Sequence, residues 1–243
     1  RAVDRWRGDA ALAAWEVVGE PEPGVCGESC DWTDRTCPAD AASVLRRFVD
    51  DTPFALDAEK TMIAWVDRDT LLVATALHGG GVTDSGYPIS ARAWRRGESL
   101  ADAPPIVTGV ASDVGVFAHV DRTGGTATPI VVIAHDFFHS ESWVWDGGEP
   151  RLIAVPQDAN VDVHGDLVTV RTTTPWRIGE TTHPSGTLLI GPLETITEGD
   201  GSNLRVAFTP SDTAVLETWT WTRTRLVLTI LDRVQSRLVS LDP

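Results

Sequence analysis

Basic residues are scarce in this 243-residue chain. It has 20 Lys and Arg, of which only Lys60 is lysine, against 35 Asp and Glu, for a net charge of −15. Such a charge is repelled by phosphate backbones and anionic lipid head groups, so neither nucleic acid nor a membrane surface is expected as a partner. Long hydrophobic runs are missing too. The longest, such as Ile130 to Ala134, match a strand rather than the roughly 20 residues of a bilayer-spanning helix, and no signal-peptide core is expected. A cytoplasmic location is expected. Met62 is the sole methionine and the chain opens on Arg1, so the sequence is read as a processed product or a piece of a longer chain. Cysteine is limited to Cys26, Cys30 and Cys37. An odd count without a CxxC pair, and with no histidine before His78, argues against a disulfide framework and a zinc ribbon. Buried or free thiols are expected, with a Cys30–Cys37 disulfide as the alternative.

Catalytic signatures are absent as well. A serine nucleophile on a strained strand-to-helix elbow needs Gly-x-Ser-x-Gly. Asp84-Ser85-Gly86 lacks the leading glycine, Gly201-Ser202-Asn203 lacks the trailing one, and there is no Gly-rich phosphate loop. His135 and His139 flank Asp136, but in a strand-and-turn context residues four apart lie about 13 Å from each other, so a structural role is favoured over a metal site. His78, His119, His164 and His183 are scattered beside turns. Asp67 with Asp69, and Asp50 with Asp51, read as turn residues bonding their own backbone rather than as an acid–base pair. No catalytic, cofactor-binding or metal residue is assigned, no cofactor is expected, and substrate-binding residues stay unassigned. The ten Trp are the notable excess. Alternation puts Trp143 with Trp145, and Trp219 with Trp221, on one sheet face each, suited to packing between sheets or, alternatively, to a sugar-binding platform.

What is present is β-pattern. The first sixty residues are mixed: Asp9 to Val18 reads as a short helix or a strand approach, and Glu20 to Asp40 as loop. From Met62 onward short Val-, Ile-, Thr- and Trp-rich runs alternate with Gly, Pro, Asp and Asn, giving about fourteen strands and no long helix. A strand–turn–strand pattern recurs at residues 64–73, 113–121, 162–170 and 220–228. Its markers Val66, Val116, His164 and Arg223 are separated by 50, 48 and 59 residues. Such a period matches β-propeller blades of four strands better than tandem sandwiches. The expected fold is therefore all-β, a β-propeller of four to five recognisable blades of about 50 residues. Residues 61–243 form blades and 1–60 a degenerate or partial one.

Several segments then carry a family resemblance. Trp219 to Leu238 resembles the "WTRxxLxLxxLDxVxSRL" stretch of bacterial prolyl oligopeptidase family serine peptidases. Ala64 to Thr70, Thr83 to Pro88 and Trp94 to Gly97 resemble "WVDxDT", "TDSGYP" and "WKRG". His135 to Val144 and Pro175 to Leu189 resemble "DFYNSELYL" and "DWxxGGxxYPAGSLL". The matches are collinear over about residues 60–243. Departures are Ile89 in place of a basic residue and Thr182-His183-Pro184 in place of Tyr-Pro. The resemblance implies a seven-bladed propeller that caps an α/β-hydrolase domain and admits oligopeptides by size. It also pairs Cys30 with Cys37 as a counterpart of a family Cys pair. The implied catalytic Ser, Asp and His lie in the hydrolase domain, and none maps here, so the chain alone is expected to be inactive. The implied partners are that catalytic domain, in the same parent chain or separate, and oligopeptide substrates. The alternatives are a stand-alone propeller binding a peptide or glycan and, less favoured, an independent enzyme using channel His and Asp residues.

Overall fold

The computed structural model describes residues 60–243. The readings of Asp9 to Val18, of 20–40, of the three cysteines, of Asp50 with Asp51 and of 1–60 as a partial blade lie outside the described residues. The chain divides into two compact units, one ending at His119 and the other beginning at Val120.

In the first unit β1 (Thr61–Trp65), β2 (Thr70–Thr75), β3 (Ser90–Arg95) and β4 (Pro105–Thr108) form a four-stranded antiparallel meander. All six residues of β2 are buried, so the strand is covered on both faces, as its nearly unbroken apolar sequence requires. Leu71, Val73, Trp94, Leu100 and Ala103 form a core cluster on which Trp65 packs.

The division between units falls within β5 (Gly115–Asp121), the first strand of a second meander with β6 (Thr128–Ala134), β7 (Ser140–Val144) and β8 (Arg151–Leu152). The third sheet starts with β9 (Asn160–His164) and β10 (Leu167–Arg171). A separate hairpin, β11 (Trp176–Ile178) with β12 (Thr181–His183), then precedes β13 (Leu188–Pro192), and β14 (Arg205–Phe208) completes the sheet. A single-turn helix, α1 (Leu193–Thr197), follows β13. The fourth sheet has three strands: β15 (Ala214–Trp221), β16 (Leu226–Asp232) and β17 (Gln235–Leu241).

Period-two alternation explains how the last three sheets pack. On β13, Leu189 joins Ile130 and Val144 of the second sheet in one core, together with Val168 and Val170. Its neighbours Leu188 and Ile190 face the other way, into a core with Leu216, Leu226, Leu228 and Ile230 of the fourth sheet. The third sheet is thus buried on both faces between its neighbours. Trp219 and Trp221 pack on the second of these cores, the inter-sheet role their alternation predicts.

The all-β expectation holds, and the only α-helix among the described residues has five residues. The repeat needs one correction. Residues 113–121 are a turn and a single strand; the matching hairpin of that sheet is β5–β6, with its turn at 122–127. The polar, glycine-containing Arg122-Thr123-Gly124-Gly125 is the true punctuation, whereas Asp113-Val114-Gly115 imitates it. First strands in fact begin at Thr61, Gly115, Asn160 and Ala214, steps of 54, 45 and 54. No helix among the described residues is long and apolar enough to cross a membrane.

Candidate functional site

An antiparallel meander puts its first-to-second and second-to-third connections at opposite ends of the sheet. In this chain the two ends differ. First-to-second turns are short: 66–69, 122–127, 165–166 and 222–225. Second-to-third connections include the two longest segments of this kind, 76–89 and 172–187, together with 135–139 and the two-residue 233–234.

In the second unit the short-turn ends are joined to each other. Asp121 Oδ2 accepts from the Gly165 N–H at 2.8 Å, and Oδ1 from the Thr123 hydroxyl at 2.7 Å and its N–H at 3.1 Å. Burial alone would raise the Asp121 carboxyl, but those donors and nearby His164 outweigh it and hold the group below the ordinary carboxylate value. Gly124 and Gly165 touch backbone to backbone, and a Cβ on Gly124 would sit 2.6 Å from Gly165 Cα. His164 stacks on Trp221, ring centroids 4.3 Å apart and planes 4° from parallel. The turns of the second, third and fourth sheets are therefore aligned at one end. Trp219 Nε1 adds a 3.0 Å hydrogen bond to the fully buried Thr169 Oγ1.

The opposite ends carry the two longest connections, 76–89 and 172–187, together with 135–139 and 233–234. In the first unit the Thr83 hydroxyl donates to Val114 O at 2.9 Å, Thr83 N–H donates to Tyr87 O at 2.9 Å, and Asp84 N–H donates to Ala111 O at 2.8 Å. This fixes a turn that exposes Asp84 and Ser85. Lys60 Nζ lies 4.1 Å from the Tyr87 ring centroid. In the second unit Asp136 Oδ1 accepts from the Phe138 N–H at 2.6 Å and the His139 N–H at 2.8 Å, and Oδ2 accepts from His139 Nδ1 at 2.8 Å. The Phe138 amide and the His139 side chain chiefly hold this exposed carboxyl below its usual range. His135 Nε2 stands 3.6 Å from Glu141 Oε1, which also accepts from Gln157 Nε2 at 2.7 Å.

His135 and His139 thus face different carboxylates. Among the described residues no three His, Cys, Asp or Glu side chains gather as metal ligands. Asp67 Oδ1 accepts from the Asp69 N–H at 2.7 Å, and Asp69 pairs with Arg96 at 2.9 Å, so the pair builds a turn. His78 and His119 are exposed; His183 lies on β12 opposite Trp176. Sequence reading misses the Asp121–Gly165 and His164–Trp221 contacts, because nothing local marks partners 44 and 57 residues apart; only the Gly-Gly pair at 124–125 hints at close backbone approach.

Of the resembling segments, 83–88, 135–144 and 175–189 each include part of the second-to-third connection of their own sheet, whereas 64–70 covers a first-to-second turn and 219–238 covers one of each. Comparison with known proteins gives the following likenesses. An uncharacterized peptidase of Rickettsia prowazekii is 23% identical over 194 residues, 76% of this chain and 27% of that protein. One of Sinorhizobium fredii is 26% identical over 200 residues, 78% and 27% respectively. The chain also superposes on a post-proline cleaving enzyme from Rickettsia typhi with a TM-score of 0.67 at 22% identity, covering 75% of this chain and 28% of that enzyme. The chain is thus similar in sequence to two peptidases and in fold to part of a post-proline cleaving enzyme. Oligopeptidase B from Leishmania major gives a TM-score of 0.53 at 14% identity over 76% of this chain. No family model matches the chain. It spans about a quarter of the length of each of these proteins.

Proposed function

We propose that this chain is the noncatalytic β-propeller portion of a prolyl-oligopeptidase-like serine peptidase. In this reading residues 61–243 are blades of a larger ring. They cover an α/β-hydrolase catalytic domain and select oligopeptides by size, while the Ser, Asp and His of hydrolysis lie on that domain. The observation that carries the reading is the third sheet, a four-stranded meander buried on both faces between the sheets before and after it. Blades in a ring need that two-sided burial, since each unit cannot cover its own apolar faces. The likeness to one quarter of several peptidases supports it further.

The test is the intact mass of the native protein from its source cells, followed through peptides of this chain. A species well above 26.2 kDa, carrying a Gly-x-Ser-x-Gly segment and cleaving short peptides but not folded proteins, is expected. A species of that lower mass with no hydrolase bound to it would refute the reading in favour of a stand-alone binding module.

A further inference from the structure

Among the described residues the four most exposed large apolar side chains are Phe137 and Val234, each 91% exposed, Phe138 at 79% and Leu238 at 74%. Three lie in second-to-third connections, and Leu238 is four residues beyond one. The other described aromatic residues are buried or half-buried. These positions come from sheets whose opposite ends are aligned by the Gly124–Gly165 and His164–Trp221 contacts, so the Phe137–Phe138 and Val234 tips project from one end of the second unit.

Both tips are built to hold their side chains outward. Asp136 ties the backbone of its loop at Phe138 and His139, and the His135 N–H closes the loop by donating to His139 O at 2.9 Å. With the polar groups satisfied inside the loop, the two rings have no packing partner in it. At the other tip Arg233 and Val234 both hold positive φ, 48° and 66°. For a β-branched residue this backbone is strained, and strain of this kind persists where the surroundings or a function demand it.

We propose that Phe137, Phe138 and Val234 form an apolar anchor that seats on the catalytic domain of the longer peptidase. This rests on the reading given under Proposed function. A net charge of −15 opposes both an anionic lipid surface and a second copy of the chain. Nearly three quarters of the relatives' length lies outside the matched part, ample chain for a further domain to pack on these tips. On a loop whose backbone Asp136 already ties down, an aromatic side chain has only two torsions left to fix on docking, which suits it to act as an anchor.

The experiment places a photo-crosslinking phenylalanine at position 137 of the native protein in its own cells, with a control at exposed Thr126 in the turn at the opposite end. Expected are adducts from 137 to peptides of the region bearing the Gly-x-Ser-x-Gly elbow, none from 126, and a loss of at least several-fold when Phe138→Ser is added. Both rings are exposed, so that change leaves the fold intact. Adducts to another copy, to an unrelated protein, or none at all while hydrolase peptides co-purify, overturn the anchor and leave the reading of Proposed function standing. Absence of any hydrolase peptide from the purified species removes both.

Discussion

Replacing Val234 by glycine should stabilise the purified chain. Asp232 pairs with Gln235 in the β16–β17 ladder, so Arg233 and Val234 are the whole loop. Two-residue hairpin loops of the type I′ class place both central residues at positive φ, normally occupied by Asn-Gly. A residue with a Cβ costs about 1–2 kcal/mol in that region. Glycine relieves this but frees the unfolded chain, returning roughly 0.4–1 kcal/mol. Val234 is almost wholly exposed, so no burial is forfeited. The net gain is about 0.5–1 kcal/mol, equivalent to roughly 1–4 °C in Tm for a domain of this size. Val234→Ala keeps the Cβ and should stay within about 0.5 kcal/mol of the parent. Urea unfolding of the three proteins side by side measures this. If glycine is no more stable than alanine, the turn is not left-handed in solution and the strain assigned to this tip is wrong.

Other substitutions probe the packing that aligns the sheets. Gly124→Ala drives a Cβ against the Gly165 backbone and should destabilise by about 1–3 kcal/mol, read as a lowered urea midpoint. Thr169→Val leaves the Trp219 indole N–H without its acceptor inside the structure, a loss of about 1–3 kcal/mol, whereas Thr169→Ser should recover most of it. Leu189→Ala empties a fully buried site between the second and third sheets, costing about 2–5 kcal/mol. The Asp121 carboxyl is depressed in the folded chain, so its contribution is present above its unfolded pKa and lost as pH falls through the folded value. Asp121→Asn should therefore be less stable than the parent at neutral pH, with the gap closing in acid; a gap independent of pH would show that the carboxylate charge is not what holds the turn.

The order of strands is legible in the sequence wherever apolar alternation is interrupted by turn residues. The runs at 70–76, 91–95, 105–108 and 225–231 all fall on observed strands. β11 and β12 are not legible. The polar stretch Arg177 to His183 has no pattern of its own, and Trp176 and Ile178 hold the hairpin by packing on the core of the neighbouring strands. The same limit explains the misplaced repeat marker at Val116, since turn composition at 113–115 does not distinguish a hairpin turn from a link between sheets. In the candidate site the strand-and-turn context of His135 and His139 is legible, but the outward Phe137 and Phe138 rings are not, because two adjacent phenylalanines in a sequence normally signal core.

The contrast between the two ends of the sheets has a physical cause. Where neighbouring turns meet backbone to backbone, as at Gly124 and Gly165, those turns cannot lengthen without separating the sheets. The second-to-third connections are free of that contact, and the 172–187 hairpin and the Phe137–Phe138 loop are found there. Glycine at 234 would make the last tip more stable, yet the sequence holds valine there in a conformation that disfavours it. Selection for stability alone does not account for that choice. Selection for an apolar group held outward, at the end where the structure leaves room for a partner, does, and it requires Val234→Gly to strengthen the fold while weakening whatever docks on that end.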